Sequence, residues 1–250
     1  EFITVEKICR LIKMLENSYP IDLVVPVYNE GKGIKQVLNL LETNVKTRFR
    51  VLICYDFEED TTLEVVNNMN VSYPIVCIKN KGTGPHSAIL TGFEESNSEC
   101  VIVFPGDDIT NEKIIDDMYT QFLNGCEVVV ASRFMDGGSM IGCPIVKSIF
   151  VRTASFSLYK LSGIPVRDAS YGFRLFSRKI LDNILIESSE GFTYSLELLV
   201  KCHRLGWKIG EIPASWIERK EGESRFRVFY WLSKYLRWYM FGLATTWLRR

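Results

Sequence analysis

Five short apolar runs constrain this chain more than anything else in it: Ile21 to Tyr28, Val51 to Tyr55, Ile75 to Ile78, Val101 to Phe104 and Val128 to Ala131. Each is rich in Val and Ile and almost unbroken by polar residues, the pattern of a strand buried on both faces. Between them Gly33 to Leu41, Thr61 to Met69, Ser87 to Glu95 and Glu112 to Leu123 carry apolar residues at helical spacing. Strand and helix alternating in this way predict an α/β fold, a mostly parallel sheet with helices on both faces. The 250 residues, 47% of them hydrophobic, supply a core for one large domain or two small ones. The 30 basic and 30 acidic side chains balance, so no global field favours nucleic acid. The seven cysteines form no Cys-x-x-Cys pair, and several sit inside the strand-like runs. They read as core residues of a reducing, cytoplasmic compartment. No apolar run reaches the ~18 residues that a membrane-spanning helix needs, and no signal-peptide pattern opens the sequence.

In open α/β sheets ligands bind beyond the carboxyl ends of the strands. Those ends read Pro26-Val27-Tyr28-Asn29-Glu30, Tyr55-Asp56 followed by Asp60, Asn80-Lys81-Gly82-Thr83-Gly84, and Pro105-Gly106-Asp107-Asp108. Asp and Asn also cap the helices that follow strands, which accounts for Asp60 and Asn111 more readily than for Asp56 and Asp107. Carboxylates gathered at one crevice repel each other and favour a bound cation. Mg2+ or Mn2+ takes a carboxylate or two together with substrate phosphates. Gly82 and Gly84 allow backbone to approach a ligand, without the spacing of a Walker loop or a dinucleotide fingerprint. A nucleotide-phosphate crevice with a divalent metal follows, and on this chemistry a kinase, a nucleotidyltransferase and a sugar transferase all remain open.

The ordered set Pro26-Val27-Tyr28-Asn29-Glu30, Asp56, Asp107-Asp108, Ala131-Ser132-Arg133-Phe134, Asp168 to Arg174, Ser195-Leu196-Glu197 and Arg219 resembles the inverting family 2 glycosyltransferases. The spacing is most similar to the dolichyl- or polyprenyl-phosphate mannose and glucose synthases, over roughly residues 20 to 228. The resemblance implies a GT-A fold with a nucleotide-sugar half over about 20–131 and an acceptor half over about 132–217. A helix over 1–19 would precede them, and a basic aromatic helical segment over 218–250 would follow. Pro26, Tyr28, Glu30 and Asp56 would line the base and ribose pocket of a GDP- or UDP-hexose, with Gly82 and Gly84 beside the ribose. Asp107 would hold the metal on the donor diphosphate. Pro105 stands where the family's first motif Asp is expected, which predicts weaker metal binding or a ligand role for Asp108. Tyr55 and Phe57-Glu58-Glu59 likewise alter the base pocket.

The acceptor decides what else is needed. A sugar hydroxyl requires a carboxylate base, and the resemblance to alcohol-transferring members of the family implies Glu197. A lipid phosphate is already anionic and requires cations, which bind its oxygens through charge-assisted hydrogen bonds. The resemblance to the polyprenyl-phosphate enzymes implies Arg133, Arg152 and Arg219, with Ser155 nearby, for that role, while Arg174 is expected to hold the Asp168 turn through a salt bridge. His86 and His203 read as structural. From Glu218 to Arg250 there are eight basic and three acidic side chains amid a crowd of aromatics. Such a helix reads as lying in a membrane interface, or else as docking on the chain's own core or on a second subunit as a homodimer. The resulting expectation is a metal-assisted hexosyltransferase acting on a polyprenyl phosphate, peripheral on the cytoplasmic face of a membrane. Transfer to a saccharide hydroxyl, or a non-catalytic membrane-associated scaffold suggested by Pro105, are the alternatives.

Overall fold

The computed structural model describes residues 19–218 and 228–247. Seven strands form the central sheet: β1 (Ile21–Pro26), β2 (Phe49–Tyr55), β3 (Ile75–Lys79), β4 (Cys100–Val103), β5 (Val128–Ser132), β7 (Arg174–Ser177) and β8 (Ile209–Pro213). Their order is β3-β2-β1-β4-β7-β5-β8, parallel throughout except for β7, which runs antiparallel between β4 and β5. A second, two-stranded parallel ribbon pairs β6 (Ser139–Ile141) with β9 (Ser215–Ile217). The mostly parallel sheet with flanking helices matches the expected GT-A architecture.

The strands are unbroken apolar runs because both of their faces are covered. In β1, Leu23 and Val25 pack on one side with Ile34, Leu38 and Leu41 of α1 (Ile34–Asn44). Val24 packs on the other side with Ala88, Ile89 and Phe93 of α3 (Gly84–Glu95). That helix lies so close that a Cβ on Gly92 would sit 2.5 Å from a Val24 methyl. Short α2 (Thr61–Asn67) is capped by Asp60, whose side chain accepts from the Thr62 amide, while α4 (Ile115–Leu123) closes the first face. The acceptor-side helices are α5 (Ile145–Ser157), continued by a π-helical turn over Leu158–Ser162, then α6 (Arg178–Asn183), α7 (Thr193–Arg204) and α8 (Val228–Trp247).

Three features go beyond or depart from the sequence reading. Ile75 to Ile78 was expected as a fully buried strand, but β3 is the sheet edge and exposes Val76 and Cys77. The antiparallel β7 had no signal of its own, being four residues whose burial comes only from insertion between β4 and β5. Third, α8 turns its apolar stripe inward. Trp238 is 3% exposed, and Tyr235, Tyr239 and Phe241 pack with it against the core that includes Val200 and Leu158. The alternative of docking on the chain's own core therefore describes this stripe. The helix expected over 1–19 lies, apart from Tyr19, outside the described residues.

Candidate active site

The strand order reverses on either side of β1, so the carboxyl ends of β2 and β4 flank its end. Asp56 and Asp107 consequently stand at one end of the sheet, about two strand spacings or roughly 10 Å apart at the level of the strands. The loop after β1 is laced to the start of α2. The Asn29 amide donates to Asp60, the Glu30 amide to the Thr62 hydroxyl, and the Thr61 amide to the Asn29 side chain, at 3.0, 3.0 and 3.2 Å. Asn29 adopts φ 58°, a left-handed conformation that Asn tolerates better than most residues. Tyr28 is thereby exposed and meets the edge of Phe57, with ring centroids 5.3 Å apart.

Asp56 organises the glycine loop. One oxygen accepts from the Asn80 side chain at 2.6 Å and the other from the Gly84 amide at 2.8 Å. Asn80 in turn accepts from the Gly82 amide and from the Thr91 hydroxyl. Gly84 has φ +79°, a conformation that side-chain-bearing residues rarely adopt. Pro26, Glu30, Asp56 and the two glycines thus stand in the loops at the carboxyl ends of β1, β2 and β3. The sequence names Asn80 as part of this strand end without giving it a role; an Asn two residues before a Gly is the signal for the turn it carries.

The two aspartates after β4 differ sharply. Asp107 is exposed. Asp108 accepts from the amides of Thr110 and Asn111, from both of their side chains and from the Tyr171 hydroxyl, at 2.6 to 3.2 Å. Burial and the adjacent Asp108 hold the Tyr171 phenol well above its usual pKa, so it stays protonated as a donor.

Across the crevice, Arg133 grips Asp168 with two nitrogens at 2.7 and 3.0 Å and donates a third bond to Ser170. Asp168 is fully buried, which opposes its ionisation, but the Arg133 charge and hydrogen bonds outweigh this and keep its pKa low. The guanidinium also lies over the rings of Tyr171 and Phe134, and Arg152 lies over Phe134 at 4.7 Å. An unbroken chain of contacts therefore runs from the Asp108 turn through Tyr171, Arg133 and Phe134 to Arg152.

This frame can be compared with known proteins. A sequence profile described as Glycosyl transferase family 2 matches residues 22–185, the greater part of the chain. The chain belongs to glycosyl transferase family 2. It is 22% identical over 213 residues to the dolichol-phosphate mannosyltransferase of Pyrococcus furiosus, covering 83% of this chain and 59% of that protein. It is 29% identical over 220 residues to the dolichyl-phosphate beta-glucosyltransferase ALG5A of Trichomonas vaginalis, covering 80% and 67%. The chain thus spans less than two thirds of the length of the archaeal relative. Among solved structures, glucosyl-3-phosphoglycerate synthase from Mycobacterium tuberculosis, crystallised with uridine diphosphate, shares the fold at a TM-score of 0.62 and 16% identity, covering 98% of this chain and 85% of that one. A further crystal of the same enzyme holds Mn2+, uridine-diphosphate-glucose and phosphoglyceric acid.

Within this family 2 frame several assignments shift. Arg133, expected at an acceptor phosphate, is the partner of Asp168. Arg174, expected in that salt bridge, instead donates to the backbone carbonyls of Ala169, Tyr171 and Ser195. It is fully buried, and burial pulls its pKa down to about 10. Ser155 is 1% exposed, turned into the protein rather than towards a ligand. Glu197, the candidate base, has no exposed surface, and its oxygens accept from the amides of Glu187 and Ser188 and from Lys201 at 2.7 to 2.8 Å. A carboxylate so enclosed is a structural clamp between α7 and the loop before it, with no face for an incoming hydroxyl. Arg219 lies outside the described residues. Among the described residues no three His, Cys, Asp or Glu side chains cluster as a metal cage. Exposed Asp107 beside a saturated Asp108 fits a divalent ion held by one carboxylate and the oxygens of a donor diphosphate.

Proposed function

We propose that this family 2 chain transfers a hexose, mannose or glucose, from GDP or UDP to a dolichyl or polyprenyl phosphate with inversion. The names of its mannosyl- and glucosyltransferase relatives support that acceptor class. The observation that carries it is the makeup of the acceptor half, over about 132–217. It presents exposed Arg152 beside an apolar helix face, while Glu197, the carboxylate assigned as base, is sealed inside. On α5, Ile145, Val146, Ile149, Phe150 and Phe156 are 50 to 77% exposed, and Ile141 and Ile217 of the small ribbon are 56% and 50% exposed. So much apolar surface marks an interaction site.

The nucleotide half, over about 20–131, supplies the donor site. Asp56 and Asn80 hold the glycine loop in place before the donor arrives, which lowers the ordering cost of binding. Tyr28 and Phe57 offer aromatic surface to the base. Asp107 would hold Mg2+ or Mn2+, and such an ion neutralises the charge that develops on a departing nucleotide diphosphate. A lipid phosphate needs no proton removed, so cations that place its oxygen in line with the anomeric carbon suffice. No described helix is long and apolar enough to cross a membrane. The proposed placement is peripheral on the cytoplasmic face of a membrane, through α5 and the ribbon rather than through the apolar stripe of α8.

The test is product formation from GDP-mannose or UDP-glucose with a polyprenyl phosphate and Mn2+. A glycolipid whose formation is lost in Asp107→Asn but kept in folded Glu197→Gln is expected. Transfer only to sugar hydroxyls would overturn the acceptor, and nucleotide-sugar binding without any turnover would favour the scaffold reading that Pro105 suggests.

A further inference from the structure

A cavity of about 400 Å³ lies where α5, the π-helical turn and the loops after β5 and before Asp168 meet, lined by Phe134, Arg152, Phe156, Tyr159, Lys160 and Arg167. Three of these six side chains are cationic and three aromatic. The acidic side chain bonded to one of these cations is Asp136, fully exposed and 3.4 Å from Arg167. The cations are not loosely hung. The Arg167 and Asp168 amides both donate to Glu211, at 2.6 and 3.1 Å, which anchors the backbone beneath Arg167. Arg152 is held over Phe134 and donates to Ser148, and the Lys160 ammonium lies 5.0 Å from the Tyr159 ring. Like charges gathered around one cleft repel each other and favour an anion between them. The cleft also has an apolar exit, because Phe156 is both part of its wall and 60% exposed on the same helix as Ile149 and Phe150.

We propose that this cleft binds a phosphate group carried on a long apolar chain, with Lys160 and Arg167 joining Arg152 as the phosphate ligands and Phe134, Phe156 and Tyr159 receiving the first carbons of the chain. The assignment deepens the lipid-phosphate reading and rests on it for the identity of the acceptor. It replaces Arg133, which Asp168 engages, and Ser155, whose hydroxyl is buried, by two residues with no marker in the local sequence. The same chemistry occurs in a polyprenyl phosphate and in an anionic phospholipid headgroup.

The experiment titrates the full chain with farnesyl phosphate, farnesol and inorganic phosphate, and repeats this with Lys160→Gln, Arg167→Gln and the double variant. Farnesyl phosphate is expected to bind saturably and at least tenfold more tightly than either control. The double variant is expected to weaken it by about tenfold or more, with melting temperature and nucleotide binding unchanged. Exposed Lys160→Gln alone, which touches no core, gives the same direction should the double variant fold poorly. Equal binding of farnesol, or wild-type affinity in the folded variants, overturns the site. Phosphatidic acid vesicles that displace farnesyl phosphate assign the cleft to lipid phosphates in general, and vesicles that do not restrict it to the polyprenyl class. Sugar transfer to a lipid phosphate that is undiminished in the double variant removes the cleft and leaves the acceptor reading standing. Charge-dependent binding without transfer to any lipid phosphate does the reverse.

Discussion

Residues 20–131 and residues 132–217, the nucleotide and acceptor halves of the proposed function, use polar side chains in opposite ways. At the strand ends of the first, Asp56, Asp60, Asn80 and Asp108 are engaged by neighbouring amides and hydroxyls, so the loops form a preset frame around exposed Asp107. In the second, Arg133, Arg174 and Glu197 are drawn inside as clamps. The surface is left to Arg152, Lys160 and a row of large apolar residues. A hydrogen-bonded frame suits a polar, soluble donor. A surface of cations and bare hydrocarbon suits an amphipathic acceptor.

The sharpest way to break that contrast is within the arginines. Arg133→Met strands the buried Asp168 charge and should cost about 3–5 kcal/mol, read as a fall of roughly 10 °C in melting temperature. Arg152→Met should leave the melting temperature nearly unchanged and raise KM for the lipid phosphate instead. If both variants behave alike, the distinction between an internal clamp and a surface ligand is wrong. Next in size, Asp107→Asn should lower kcat/KM by about 10²-fold with the fold intact, whereas Asp108→Asn should act chiefly on stability by loosening the turn it organises. Glu197→Gln keeps the shape but loses the charge that faces Lys201, and should cost about 1–3 kcal/mol in chemical denaturation. The folded fraction should keep normal turnover, and a turnover collapse in fully folded protein would restore the base.

The smallest effect concerns pH. His86 lies under the loop at residues 188–191, and burial lowers its pKa despite the carbonyls of Ser188 and Gly191 and the charges of Glu197 and Glu190. Its folded pKa lies below the unfolded value of about 6.5, so the unfolded chain takes up the proton first. Stability should then fall as pH drops from 7 towards 5.5. His86→Phe should flatten that part of the curve. An equal slope in both proteins would assign it to another group.

Much of the fold was legible because strands buried on both faces leave an apolar signature that needs no partner to be read. Ile21 to Pro26 and Val128 to Ser132 are such strands. The edge position of β3 was not legible, since Ile75-Val76-Cys77-Ile78 carries the same composition as a central strand. At the site, Asp56 and Asp107 could be placed because strand ends in this architecture share one side of the sheet. The pairing of Asp168 with Arg133 rather than Arg174 could not, because both arginines lie near it along the folded chain and only their directions differ. In Trp238 and Tyr235 of α8 the aromatic pattern was visible, but a membrane and a protein core ask for the same residues.

By itself, then, the amino-acid order determined the architecture and the family, which depend on local periodicity and on residues that follow strands directly. Tertiary structure decided which charges face inward and which outward. A charge is settled by its partners, and the partners of Asp168, Glu197 and Arg174 are backbone and side-chain groups brought to them only when the sheet and its helices have closed.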